Sequence, residues 1–118
     1  MTDLAPLIDN LPSLRETVEL HGLMAKKALG QNFLLDRNIT DKIIRTSLEH
    51  QNKQDFSGEY VFEVGPGPGG LTRSVLAHNP ECLTVVEMDE RCIDIMQEIQ
   101  QQVGDDKLQI INGDALKH

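Results

Sequence analysis

Residues 60–70 read YVFEVGPGPGG: a short apolar run that breaks into four glycines and two prolines, with Glu63 just ahead of the first glycine. A glycine-rich turn after a strand ordinarily cradles a phosphate on backbone N–H groups at the start of the next helix. Gly65, Gly67 and Gly70 satisfy the G-x-G-x-x-G spacing of dinucleotide sites literally. The intervening residues argue the other way. Pro66 and Pro68 have no N–H to give, and the carboxylate of Glu63 repels a bound phosphate. Such a turn suits a ligand with little anionic charge and a cationic centre.

The chain downstream supplies the rest of a site. GGLTRSVLAH (69–78) reads as a helix and CLTVVEM (82–88) as a strand. ERCIDIMQEIQQQV (90–103) is a helix with Ile93, Met96, Ile99 and Val103 inward, and KLQIIN (107–112) a third strand. Strand–helix–strand–helix–strand is half of an open α/β sheet, expected in the order 3-2-1 with right-handed crossovers. The continuous apolar runs predict strands covered on both faces. Ligands of such sheets lie beyond the carboxyl ends of the strands, where Glu63, Glu87 and Asp114 converge. Glu87 stands 22 positions after Gly65, where an acid accepts hydrogen bonds from ribose hydroxyls. Taken singly, Glu87 and Asp114 read as well as caps or solvated strand ends, and Asp89 and Glu90 as favourable charge at a helix start. Together, three acids around one pocket suit a positively charged nucleoside. S-adenosylmethionine has a ribose, an adenine amine, an ammonium and a sulfonium, and no phosphate.

Upstream, residues 1–11 carry Pro6 and little periodicity and are expected to form a loose arm. Ser13 caps a short helix, with Glu16 as capping-box partner, Gly22 as the stop, and Leu14, Val18 and His21 inward. LMAKKALGQNFLLD (23–36) has neither period and is expected to be an ordered loop. Asp36 caps a second helix of roughly three turns. Its Ile39, Ile43, Ile44, Ser47 and Leu48 recur at helical spacing, while Arg37, Asp41, Lys42, Arg45 and Glu49 are expected to face water. HQNKQDFSGE (50–59) is a polar turn. The organisation is thus an N-terminal arm with helices over 1–52 and the α/β part over 53–118.

Composition sets the limits. The 118 residues suffice for one small domain, and 39% apolar with 25% charged residues is the profile of a folded chain. No apolar run reaches bilayer length, and the acidic start MTDLAPLIDN is not a secretory signal. Cys82 and Cys92 have no CxxC or His/Cys company, which points away from a disulfide framework or a metal site and toward a reducing cytoplasm. The net charge is −8, yet residues 24–53 hold six bases against three acids. That excess can mark a basic lip, although composition alone favours uneven scatter on solvated faces.

KKALGQNFLLD (26–36), VFEVGPGPGGLT (61–72), VVEMDE (85–90) and INGDAL (111–116) together resemble the ribosomal RNA adenine N6,N6-dimethyltransferases of the KsgA/RsmA type. The resemblance runs from about Leu11 to the end, and G-Q-N-F-L is its most specific part. It implies a Rossmann-like, S-adenosylmethionine-dependent methyltransferase fold. It also implies dimethylation of two adjacent adenines near the 3′ end of small-subunit ribosomal RNA, with the pre-30S particle as partner. Carried over by position, Asn32 and Leu34 contact the cofactor, and Gln31 and Phe33 line the entrance, Phe33 near the target base. The residues alone read Gln31 and Asn32 as a turn. Gly65 and Gly67 pass along the methionyl part, Glu63 positions its ammonium, Glu87 holds the ribose and Asp114 the adenine amine. Lys26, Lys27, Arg37 and Arg45 are the candidate lip that steers RNA.

The family's Asn-Leu-Pro-Tyr/Phe segment, which holds the target amine and stacks the flipped base, has no counterpart before His118. The expectation is therefore an N-terminal fragment holding most of the cofactor site and no catalytic residue, inactive alone, with YVFEV as a bare edge prone to self-association. A non-catalytic RNA-binding or transcription-factor relative is the second reading. A nicotinamide-dependent oxidoreductase is the third, disfavoured by Glu63 and the prolines.

Overall fold

The computed structural model describes residues 3–23 and 35–114. Helix α1 (Ala5–Asp9) and helix α2 (Leu14–Leu20) form an arm, and helix α3 (Arg37–His50) leads to the sheet. Strand β1 (Tyr60–Val64), helix α4 (Gly70–Ala77), strand β2 (Cys82–Glu87), helix α5 (Glu90–Val103) and strand β3 (Leu108–Asn112) complete the order. The three strands are parallel, in the order β1-β2-β3, so β1 is an edge as expected. Among the described residues no helix is long and apolar enough to cross a membrane.

The start of the chain corrects the expectation of a loose arm. Leu4 and Ile8 are 2% and 1% exposed, and α1 packs against α4 and α5. Four residues apart, the two side chains share one helix face, which is enough to fold a single turn onto an existing core. Pro6 is no obstacle, because it falls in the first turn, where its missing N–H has no acceptor to satisfy.

The caps form where the sequence places them. Ser13 accepts from the N–H of Glu16, and its hydroxyl donates to Glu16 Oε1 at 3.2 Å. After α2, Leu23 N–H bonds Val18 O and Gly22 N–H bonds Glu19 O, a double closure around Gly22 at φ +67°. Leu14 and Val18 are buried as expected, while His21 reaches across to Glu98 on α5 at 2.8 Å. Asp36 caps α3 through the N–H of Asn38. The inward stripe of α3 is Thr40, Ile44 and Leu48. Ile43 and Ser47, expected inside, are exposed, because α3 meets its neighbours along one narrow line. Thr40 crosses to α4, accepting from the Ser74 hydroxyl at 2.7 Å. Arg37, expected in water, pairs with Asp9 at 3.3 Å and Asp41 at 2.8 Å.

Helices cover one face of the sheet, and among the described residues the other face is most open at the edge strand β1. Val61, Leu83 and Leu108 lie side by side in register, as do Val85 and Ile110. All five join the core with Val75 and Leu76 of α4 and Ile95, Met96 and Ile99 of α5. The alternate residues point the other way. There Tyr60, Phe62 and Val64 are 71%, 72% and 69% exposed. The expectation of cover on both faces holds for residues 82–85 of the central strand β2, all buried, while the bare strand is the edge β1, as expected. Continuous apolar character in YVFEV does not by itself tell a covered face from a bare one.

Candidate functional site

At the carboxyl ends of β1 and β2 the chain turns sharply. Gly65, Gly67 and Gly69 all have positive φ, at +66°, +57° and +96°. A Cβ at Gly65 or Gly67 would meet nothing within 4 Å, so this side of the turn is open space. A Cβ at Gly69 would instead lie 2.9 Å from Met96 Cε and 3.3 Å from Ile99 Cδ1. Gly69 therefore seats the turn on α5, and Gly70, the third glycine of the sequence pattern, is simply the first residue of α4.

The donors of this turn are already engaged. Gly65 N–H bonds Val86 O at 2.8 Å and Gly69 N–H bonds Pro66 O at 3.0 Å. Gly67 N–H bonds Glu87 Oε1 at 3.0 Å. Pro66 and Pro68 have none to offer. From Gly65 to Gly69 no backbone donor is left for a pyrophosphate.

Glu87 is the organising group. Its second oxygen accepts from the N–H of Met88 at 2.9 Å and of Asp89 at 3.0 Å. A carboxylate has about four acceptor positions; three are filled here, and the one left, on Oε1, can take a ribose hydroxyl. The sequence marks Glu87 as an acid at the right distance but does not reveal its hold on Gly67. Met88, exposed beside it, was not expected at the site; its apolar surface at the open carboxyl end is the signal that could have found it.

Glu63 lies on the helix-covered face, in register with Val85. Its Oε1 accepts from the Thr72 hydroxyl at 2.6 Å, and Thr72 is fully buried. Burial pushes the Glu63 carboxyl above its ordinary range, against the Thr72 hydrogen bond, and the charge of Glu87 pushes the same way. Those two carboxylates thus share one electrostatic neighbourhood. β3 ends beside them, with Gly113 N–H on Glu87 O at 2.9 Å, and Asp114 follows, half-buried. The three acids expected to gather at this end of the sheet are carried there by its three strands.

The remaining acids and thiols have structural roles. Asp89 caps α5 through the N–H of Arg91, and its hydrogen bonds with Arg91 hold its carboxyl below the ordinary range. Cys82 and Cys92 are free and buried. Burial, with Glu87 and Asp89 nearby, pushes the Cys92 thiol up to about 11, which leaves it protonated and unreactive at neutral pH. Of the candidate RNA-steering residues, Arg45 is exposed on α3, whereas Arg37 is taken up by its two acids. Lys26, Lys27, Gln31, Asn32, Phe33 and Leu34 lie outside the described residues.

Residues 22–118 match the family described as ribosomal RNA adenine dimethylase. Curated relatives called ribosomal RNA small subunit methyltransferase A are similar over nearly the whole chain. That of Allorhizobium ampelinum is 50% identical over 110 residues, 93% of this chain and 38% of the relative. That of Brucella anthropi is 53% identical, over 93% of this chain and 37% of the relative. The chain thus spans little more than a third of the length of these relatives. A solved structure assigned as an RNA methyltransferase, from Pyrococcus horikoshii, superposes with a TM-score of 0.55 at 16% identity, covering 88% of this chain and 51% of that one. It shares the Rossmann-like fold.

Proposed function

The chain belongs to the ribosomal RNA adenine dimethylase family, and from that premise we propose that it carries much of the S-adenosylmethionine site of a small-subunit ribosomal RNA adenine N6,N6-dimethyltransferase. One observation supports the cofactor most directly: every N–H between Gly65 and Gly69 already has an acceptor within the protein. A dinucleotide needs those donors for its pyrophosphate; a sulfonium nucleoside does not.

The residues divide the work by position. Glu87 accepts from a ribose hydroxyl while keeping Gly67 in place. Gly65 and Gly67 leave room for the methionyl chain to pass close to the backbone. Glu63, with Glu87, makes the pocket negative toward an ammonium and a sulfonium. Asp114 receives the adenine amine. By resemblance to the family, Asn32 and Leu34 contact the cofactor, and Gln31 and Phe33 line its entrance, Phe33 near the target base. When bound, the cofactor supplies the methyl group; the protein binds and orients it. The amine to be methylated belongs to two adjacent adenines near the 3′ end of the RNA, presented on the pre-30S particle in the cytoplasm. Arg45, with Lys26 and Lys27, steers that RNA.

Calorimetric titration tests this reading. S-adenosylmethionine binds and NAD does not, and Glu87→Ala weakens the methyl donor by about 1–3 kcal/mol, the cost of leaving a bound hydroxyl unpaired. NAD binding without a response to S-adenosylmethionine overturns it.

A further inference from the structure

One residue beyond Thr72, Arg73 turns away from the acids and toward the α1–α2 arm. It is only 7% exposed. Its Nη1 donates to Pro12 O at 2.7 Å and its Nη2 to Thr17 Oγ1 at 3.2 Å. Both acceptors are neutral. Among the described residues the Nε–H is enclosed without an acceptor, and no carboxylate pairs with this guanidinium. Burial, with Arg37 nearby, brings its pKa down to about 10, so it is still a cation at neutral pH.

A buried charge without a counter-ion is costly. The surroundings offer a place for one. Arg73 lines a cavity of about 360 Å³ whose other walls include Ile8, Leu11, Leu14 and Leu35, with Arg37 also on its lining. Arg37 is already answered by Asp41 and by Asp9, which also lines the cavity, so Arg73 is the cation on this lining with no carboxylate paired to it. Its volume lies at the small end of the range for small-molecule pockets, which are apolar with a few convergent polar groups.

We propose that this cavity is a second ligand site, taking a small molecule with one oxyanionic head and an apolar body. The head supplies the countercharge that Arg73 lacks, and the body lies against the leucines of the arm. The site lies between the arm, α3 and α4, and its occupant ties the three together.

The test uses the 118-residue chain and phenyl phosphate as probe, in chloride buffer of fixed ionic strength. Phenyl phosphate binds at least tenfold more tightly than inorganic phosphate or phenol and raises the melting temperature, since a ligand of the native state stabilises it. Arg73→Met removes the binding. If that variant fails to fold, Arg37→Gln and Leu14→Ala serve instead, each weakening the probe several-fold with the fold intact by circular dichroism. No binding by the native chain, or unchanged binding in folded variants, overturns the proposal. Displacement of the probe by S-adenosylmethionine also overturns it, since the probe then sits in the cofactor site. Displacement by a short single-stranded RNA supports it with a backbone phosphate as the natural head. Retention of the probe against RNA supports it with a free small molecule.

Discussion

The two faces of the sheet are built from alternate residues of the same strands, yet their cover differs most sharply toward the edge strand β1. On one, Leu83, Val85 and Leu108 are wholly buried beneath helices. On the other, Phe62 and Val64 stand open at 72% and 69% exposure. The acids follow the same division. Glu63 and Glu87 share the parity of the covered face, and that is what brings Glu63 to Thr72 and Glu87 to Gly67. A shift of one residue in either strand would turn its acid to the bare side and empty the pocket of its charge. The difference teaches that the strand register which builds the core also builds the site.

The contrast can be broken most forcefully by truncation. Leu83→Ala should cost about 2–5 kcal/mol, the range for a large side chain removed from a packed core. Phe62→Ala, one strand over and facing outward, should change stability by no more than about 0.5 kcal/mol. Urea unfolding of both variants decides it; equal costs would mean the bare face is packed in solution.

A finer probe is Glu63. Its folded pKa is raised by burial above the ordinary 4.5. The native state therefore binds this proton more tightly than the unfolded chain does, and the associated stability is present below that ordinary value. It is lost as pH rises through the folded pKa. Glu63→Gln removes the dependence: the variant should be more stable than the parent at pH 7 and show a flatter melting profile above about pH 4.5. A parallel profile for the two proteins would show that the carboxyl is solvated after all.

The smallest effect concerns association. The outer edge of β1 has no strand beside it among the described residues, and an apolar edge is a template for another chain. We expect weak, concentration-dependent self-association by sedimentation, reduced by Phe62→Lys. A monomer at every concentration, with protected amides in residues 60–64, argues against it.

What could be read beforehand follows from how local each signal is. Helix α5 was legible to its ends because Asp89 caps it and Ile93, Met96, Ile99 and Val103 recur on one face. The strand order and the positions of Glu63 and Glu87 were legible because Glu63 stands one residue from the end of its apolar run and Glu87 closes its own. Helix α1 was not, since five residues with a proline carry no period, and only the Leu4/Ile8 pair hints at it. The extent of the bare face was hidden because an apolar run gives composition, not coverage. Arg73 was hidden as well: a cation in a helix reads as solvated until Pro12 and Thr17 are seen to enclose it. The clasp between Glu87 and Gly67 joins residues 20 apart, beyond the reach of any local pattern.

The arm has a bearing on how the molecule is made. Leu4 N–H is held by the Asn79 side chain at 2.8 Å, and the carbonyl of Gly22 by Arg91 at 3.2 Å. Both anchors lie some 70 residues further on, at |i−j| of 75 and 69. The opening segment therefore emerges from the ribosome long before its berth exists, and closing so large a loop slows its arrival. The arm is made before the residues that hold it and is among the last parts to settle.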